Sequence, residues 1–188
     1  MFRTSSDIDF LKTGEVTIDA DGIPVNLGYR GTGSPEGKVS APVGSVYNDT
    51  AATNGAIRWI KTIGTGSTGW RVEYGDTGMR DISASSTATG GSFIIQRVGN
   101  LVWIFASTTT FDMSDGATIT TLPVGFRPHR YVYTQTPAYW ATDALRTIRV
   151  VTSGDVVVRG GTDSETLNFT FPFVTNDPWP ASLPGTPI

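Results

Sequence analysis

The pattern of apolar and polar positions predicts β-strands over most of the chain. It is clearest in residues 166–173, where apolar side chains alternate with Asn, Thr and Pro. The apolar positions of this segment are Leu167, Phe169, Phe171 and Phe173. A period of two places all four on one face of a strand and leaves the other face to solvent or a neighbour. Pro172 on that other face lacks a backbone donor, which indicates an edge strand or a bulge.

Short turn sequences join two pairs of β-rich runs and predict two hairpins. The first hairpin joins residues 92–98 to 101–109 through Gly99 and Asn100, two residues that tolerate positive φ. The second joins residues 149–151 to 156–158 through the turn at Gly154. With so many strand signals, the chain is predicted to be all-β.

The strand signals divide the chain into three predicted regions. Residues 1–28 are an N-terminal segment with a strand at 16–18, and residues 78–188 hold enough strands for a β-sandwich or barrel head. Residues 29–77 form a Gly/Pro-rich connector, in which a β-meander is predicted from strands at 43–47, 56–61 and 70–73. Such a small meander is not expected to hold a core alone, so we expect copies of it to pack together in an intertwined trimer.

Composition and charge exclude some classes of function. The 188 residues carry 14 basic and 17 acidic side chains, so the net charge is -3 and no basic field is available to bind nucleic acid. No apolar run is long enough to insert into a membrane, and the N-terminus lacks the apolar stretch of a signal peptide. The absence of Cys excludes disulfides. We therefore expect a protein made in a host cytoplasm and used outside the cell, as virion proteins are.

The sequence GTGSPEGKVSAPVGSVYNDT, residues 31–50, concentrates Gly and Pro without forming a phosphate-binding loop. Such a loop needs Lys and then Ser or Thr directly after its last Gly, at the start of a helix. Here Gly37 is followed by Lys38 and Val39, and Pro42 disfavours helix at the residue before it. We interpret the stretch as the corners of a compact connector rather than a ligand cradle.

Two sets of motifs resemble bacteriophage tail-fibre and minor tail proteins. The first set resembles a module that precedes a C-terminal head domain in those proteins. It consists of GSPEG-x-V-x-APVGS-x-Y, followed by W-I-K and GTGSTGW. The second set resembles such a head domain and consists of RVGNLVWI, LPVGFRP, GDVVVRGG and WPASLPGTP. The resemblance implies a homotrimeric, receptor-binding virion protein whose segment 1–28 attaches to other virion proteins. No heptads or β-helix repeats are present to form a shaft, so a short fibre or spike is expected.

Aromatic and polar side chains in residues 131–143 form the candidate ligand-binding surface. Aromatic rings stack on sugar rings while neighbouring polar groups bind hydroxyls. The candidate residues are Tyr133, Gln135, Tyr139, Trp140 and Asp143. In the alternative interpretation, Tyr131 and Tyr133 alternate into the core or a subunit interface, and Tyr139 and Trp140 fill a loop.

Few residues suggest metal binding or catalysis. His129 is the only histidine, and the acidic stretches 19–22 and 112–116 are typical of β-turns, so no metal or cofactor is predicted. Asp143, Asp163 and Glu165 are the candidates for a catalytic carboxylate pair in the head. We expect no enzymatic activity, and a glycan-degrading enzyme remains a minor alternative.

The expected function is adhesion to a host cell-wall glycan through the heads of a short trimeric fibre. Several weak sites on one particle give firm attachment by avidity. The chief alternative is a purely structural protein that decorates or braces the head, neck or tail and binds no receptor.

Overall fold

The computed structural model describes residues 16–18, 24–26, 28–87, 90–111, 114–139, 145–160 and 165–188. The chain divides into two compact units, residues 1–75 and residues 76–188. The described residues form fifteen strands and one short 3-10 turn, Ser83–Ser85, so the all-β prediction is confirmed. Among these residues, no helix has the length and hydropathy to span a membrane.

The first unit contains a two-stranded and a four-stranded sheet. β1 (Val16–Ile18), at the strand predicted there, pairs with β2 (Pro24–Asn26). The larger sheet consists of β3 (Gly28–Gly31), β4 (Val46–Asp49), β5 (Ala56–Lys61) and β6 (Trp70–Gly75). The last three form the predicted antiparallel meander, and β3 adds a parallel strand beside β4.

The strand predicted at 43–47 begins later than expected. The Ser45 amide donates to the carbonyl of Pro42 at 3.2 Å, and Gly44 has a φ of 89°. Residues 42–45 therefore form a turn that delays the strand to Val46. The segment between β3 and β4, which contains the Gly/Pro-rich stretch, is the crossover that a parallel pair of strands requires.

Aromatic side chains form the centre of the first unit. Tyr47, Trp59 and Trp70 are buried, and the rings of Tyr29 and Tyr47 meet Trp70 edge-on at centroid distances of 6.2 and 6.1 Å. Such edge-to-face contacts are favourable for aromatic pairs. A single chain therefore covers the tryptophans of the module, and a core shared with other copies is not needed to bury them.

The loop 64–69 between β5 and β6 is bound by the GSPEG turn. The Glu36 carboxylate accepts hydrogen bonds from the amides of Gly69 at 3.1 Å and Trp70 at 2.8 Å. The amide of Gly37 donates to the carbonyl of Ser67 at 2.9 Å. At Gly69, φ is 92° and a Cβ would lie 2.5 Å from the carbonyl oxygen of Ile63, so only glycine fits.

Lys61 binds the same loop from inside the unit. Its side chain is 1% exposed, and its ammonium donates to the carbonyls of Gly66, at 2.6 Å, and Thr68. The ammonium also lies 5.9 Å from the ring centroid of Trp70. The GSPEG, W-I-K and GTGSTGW motifs of the connector thus form one local structure, in which the ammonium of Lys61 donates hydrogen bonds to carbonyl groups of the loop.

The second unit contains one nine-stranded sheet, in the order β10-β13-β12-β11-β14-β9-β8-β7-β15. Its strands are β7 (Arg80–Asp81), β8 (Ser92–Val98), β9 (Leu101–Phe111), β10 (Thr118–Thr121), β11 (Val132–Tyr139), β12 (Leu145–Val150), β13 (Asp155–Arg159), β14 (Glu165–Val174) and β15 (Thr186–Pro187). Both predicted hairpins are confirmed, as β8–β9 and β12–β13.

The sheet curls around a single hydrophobic core. Side chains from β8 to β14 meet in one cluster, and hydrogen bonds join β10, at one edge, to the segment before β8. These are Thr87 N to Ile119 O at 2.8 Å and Thr120 Oγ1 to Ser85 O at 3.0 Å. The curl brings inward faces from both ends of the sheet onto the same core.

β14 has the predicted alternation, and its pairing explains how Pro172 is tolerated within the strand. Leu167, Phe169, Phe171 and Phe173 are all buried. β14 pairs with β11 only at residues 166 and 167, whereas residues 169–174 pair with β9 alone. Pro172 therefore lies in a part of the strand where one side has no strand partner, and its missing donor is tolerated. The register shift between β14 and β9 lies elsewhere, between Leu167 and Phe169, where Asn168 of β14 faces two residues of β9, Ser107 and Thr108.

We expect Lys61→Met to lower the free energy of unfolding by about 1–3 kcal/mol. Methionine fills the same space but leaves the carbonyls of Gly66 and Thr68 without their donor. Urea unfolding followed by tryptophan fluorescence measures the change. Lys38→Met, at an exposed lysine of the same unit, is the control and should shift the midpoint little. Equal midpoints for the two variants would contradict the role given to Lys61.

Candidate functional site

An exposed surface of aromatic and polar side chains lies on β11 and β12. Along β11 the side chains of Val132, Thr136 and Ala138 are at least half-buried, so Tyr133 and Gln135 point outward. Cross-strand pairing places Arg149 opposite Tyr133 and Thr147 opposite Gln135. We call these four residues, together with Tyr131, the tyrosine–arginine face.

Two tyrosines give this face its apolar area. Tyr131 is 53% exposed and Tyr133 is 60% exposed. The guanidinium carbon of Arg149 lies 5.8 Å from the ring centroid of Tyr131, which is within the range of a cation–π contact. Exposed rings beside a guanidinium, an amide and a hydroxyl combine stacking surface with hydrogen-bonding groups.

The structure brings together two of the five predicted binding residues. Tyr133 and Gln135 are neighbours on the outer side of β11. Tyr139 ends the same strand opposite Thr166, about 20 Å from Tyr133 at the usual rise of a strand. Trp140 and Asp143 lie outside the described residues. The backbone positions of Tyr133 and Tyr139 therefore lie near opposite ends of β11.

The alternative that Tyr131 and Tyr133 alternate into the core is excluded by their exposure. Their burial in a subunit interface stays a prediction. Thr147 and Arg149 were not identified from the sequence, although Ile148 and Val150 beside them are buried. That alternation indicates which way Arg149 points, but not which strand lies next to it.

A groove of about 440 Å³ is a second candidate feature of the same unit. It is lined by Pro123, Val124, Pro178, Trp179, Pro180, Ala181, Ser182 and Pro184. Most of the side chains that line it are apolar. Gly125, with a φ of 98°, approaches Pro180 so closely that a Cβ would lie 2.9 Å from it, so the LPVGFRP and WPASLPGTP motifs meet here.

Arg97 fastens the C-terminal segment that forms this groove. Its side chain is 3% exposed and donates to the carbonyls of Gly99 at 2.8 Å, Gly125 at 2.6 Å, Pro178 at 2.9 Å and Asp177 at 3.1 Å. Its guanidinium carbon lies 4.9 Å from the ring centroid of Trp179. Burial lowers the pKa of Arg97 to about 10, against the opposing charge of Asp177, so the group is protonated at neutral pH. The contacts indicate that Trp179 holds the tail in place.

His129 and the described carboxylates do not gather into a metal site. His129 is exposed, with Nδ1 3.1 Å from the carbonyl of Val174, while Nε2 accepts from Arg130 at 2.8 Å. Within the described ranges, no three His, Asp or Glu side chains come close enough to hold a metal ion. Asp163 lies outside those ranges, as do the stretch 19–22 and the first two residues of the stretch 112–116.

Comparisons with known proteins give a distant structural likeness. No protein-family model matches the chain, and no curated protein matches it. The chain is similar to the crystal structure of the head domain of phage bIL170, reported in a study of receptor-binding domains of lactococcal phages. The identity is 14% and the TM-score 0.40, over 54% of this chain and 98% of that one. At these values the likeness carries no argument about function.

We expect Arg97→Met to lower the free energy of unfolding by about 3 kcal/mol and to release the C-terminal segment. Four carbonyls lose their donor, and the ring of Trp179 loses its contact with the guanidinium. Limited proteolysis with mass spectrometry should then detect faster cleavage within residues 177–188. Arg130→Met, at an exposed arginine of the same unit, is the control. A tail that resists cleavage equally in both variants would refute this role of Arg97.

Proposed function

We propose that this protein is a short trimeric fibre or spike of a bacteriophage, whose C-terminal unit binds a host-surface glycan through the tyrosine–arginine face. The observation that carries the proposal is the exposure of Tyr131 and Tyr133 beside Gln135, Thr147 and Arg149. Large aromatic side chains usually contribute to cores or interfaces, so two neighbours more than half exposed suggest a partner.

The form of the face suits a saccharide. The rings offer apolar surface to the C–H groups of a sugar, while the amide and hydroxyl groups beside them match sugar hydroxyls. The face lies open on the outer side of the sheet, so it leaves much of a ligand exposed. A single copy should therefore bind weakly. Three copies on one fibre, and several fibres on one particle, would give firm attachment.

The motif resemblance supports the phage assignment. The GSPEG turn, the W-I-K strand and the GTGSTGW loop are in contact in the first unit, so they are parts of one folded module. In the proteins that this module resembles, a head domain follows the module along the chain, as the second unit follows it here. In this proposal residues 1–28 attach the fibre to other virion proteins, and the protein is made in the host cytoplasm.

A second candidate function is structural bracing of the particle. Val98, Leu101 and Val174 are exposed neighbours on the outer side of β8, β9 and β14. Beside them on the same outer side, the rings of Trp103 and Phe105 stack at 6.0 Å. This apolar surface suits contact with another protein better than contact with a sugar, and it favours the alternative of a bracing subunit.

We expect the purified protein to have the mass of three chains in solution. Light scattering coupled to size-exclusion chromatography measures this directly. Because a single chain already buries the tryptophans of the first unit, a stable monomer remains physically reasonable and would refute the trimer. That result would contradict the fibre proposal and favour the interpretation that the protein is a single decorating subunit.

We expect Tyr133→Ala to weaken binding to microbial surface polysaccharides on an array by about tenfold or more. A lost contact worth about 1.4 kcal/mol weakens each site tenfold, and several sites act together. Tyr74→Ala is the matched control, because Tyr74 is 58% exposed but belongs to the first unit. Equal binding by both variants would exclude the tyrosine–arginine face, and release of soluble sugar fragments would indicate an enzyme instead.

A further inference from the structure

Arg149 differs from its neighbours because its Nε is buried without a hydrogen-bond acceptor among the described residues. Its guanidinium carbon lies near the ring of Tyr131. A buried donor without an acceptor costs free energy, and because Arg149 as a whole is partly exposed, an oxyanion can approach its guanidinium.

Other arginines of the same unit do have acceptors or ion-pair partners. Arg80 donates to the carbonyls of Pro184 and Gly185, Arg97 to four carbonyls, Arg127 to that of Leu122 and Arg130 to His129, while Arg159 pairs with Asp115. The fold therefore usually supplies acceptors to its guanidinium groups. Arg149 is an exception at the centre of the candidate binding face.

The chemistry of a guanidinium decides which ligand group fits it. Its planar fork of N–H donors matches the paired oxygens of a carboxylate or a phosphate, and it has no acceptor to offer. The contact with Tyr131 holds the group in position, so less side-chain freedom is lost when a ligand binds. A neutral sugar would leave the charge unmatched.

The groups directly beside Arg149 are neutral, and the charges one step further away are of both signs. The described outward neighbours of Arg149 are Tyr133 on one side and Val157 on the other. Asp155 and Arg159 lie two residues on either side of Val157 along β13. The Asp155 carboxylate accepts from the hydroxyls of Thr121 and Ser153, and Arg159 is 3.6 Å from the carboxylate of Asp115, so both charges already have partners.

We propose that the ligand of the tyrosine–arginine face is an anionic saccharide, whose phosphate or carboxylate group binds the guanidinium of Arg149 while a sugar ring stacks on Tyr133. This inference rests on the proposed glycan-binding function and adds the charge of the ligand. The two oxyanions share the same recognition chemistry, and the experiment below separates them.

The test compares binding of the full-length protein to three immobilised polymers by surface plasmon resonance. Wall teichoic acid carries phosphodiesters, polygalacturonic acid carries carboxylates, and dextran is neutral. We expect at least tenfold tighter binding to one of the anionic polymers than to dextran, with weaker binding at higher salt. Arg149→Gln should remove that preference, and Arg149→Lys should retain part of it, because lysine keeps the charge but not the fork.

Arg71→Gln is the control for charge alone, since Arg71 is an exposed arginine of the first unit. If Arg71→Gln and Arg149→Gln weaken binding equally, attraction is nonspecific and the inference is overturned. Binding to dextran that depends on Tyr133 but not on Arg149 would overturn the inference and leave the proposed function intact. Failure to bind any of the three polymers overturns the inference, and failure on the polysaccharide array as well overturns the function.

Discussion

Buried cations bound to backbone carbonyls hold the irregular segments of both units. Irregular Gly- and Pro-rich backbone leaves carbonyl groups that no neighbouring strand can satisfy, and buried polar groups need partners. Lys61 supplies donors to the loop between β5 and β6, and Arg97 supplies them to the C-terminal segment. Each cation also lies near a tryptophan ring, Trp70 in one unit and Trp179 in the other. The aromatic centre of the first unit and the groove of the second both depend on these contacts.

The sheet of the second unit presents different chemistry on different parts of its outer side. Near β11 and β12 the outward side chains combine tyrosine, amide, hydroxyl and guanidinium groups. Near β8, β9 and β14 they are mainly apolar, with Trp103 and Phe105 stacked on each other. The inner side is mainly apolar, because the curled sheet encloses one core, and Arg97 and Thr136 are buried on it as well. A single sheet can therefore serve a protein contact and a ligand contact without either one disturbing the core.

Local patterns in the sequence were sufficient to predict the strands and hairpins. The alternation in β14 and the turn at Gly99 each depend on a few adjacent residues, so they can be recognised without knowing the rest of the fold. The parallel pairing of β3 with β4 was missed because it joins segments separated by a long crossover. Lys61 was missed for a different reason: lysine is rarely buried, and its acceptors are carbonyls that sequence does not reveal.

The candidate site was only partly predictable. Tyr133 and Gln135 share one strand, and the period of two correctly places them on one side. The distance to Tyr139 follows from the extended geometry of the same strand, which spreads residues that are close in sequence. Arg149 belongs to the next strand, and only the pairing register brings it opposite Tyr133. Sites assembled across strands require that register, which no local pattern contains.

The way in which Lys61 and Arg97 fasten their segments has a consequence for the conditions of folding. Small all-β proteins often close their irregular loops with covalent cross-links that need an oxidant. This chain has no cysteine, and its loops close through hydrogen bonds from side chains that are already charged when synthesis ends. The fold can therefore form in a reducing compartment and pass into an oxidising one without any change in its bonds.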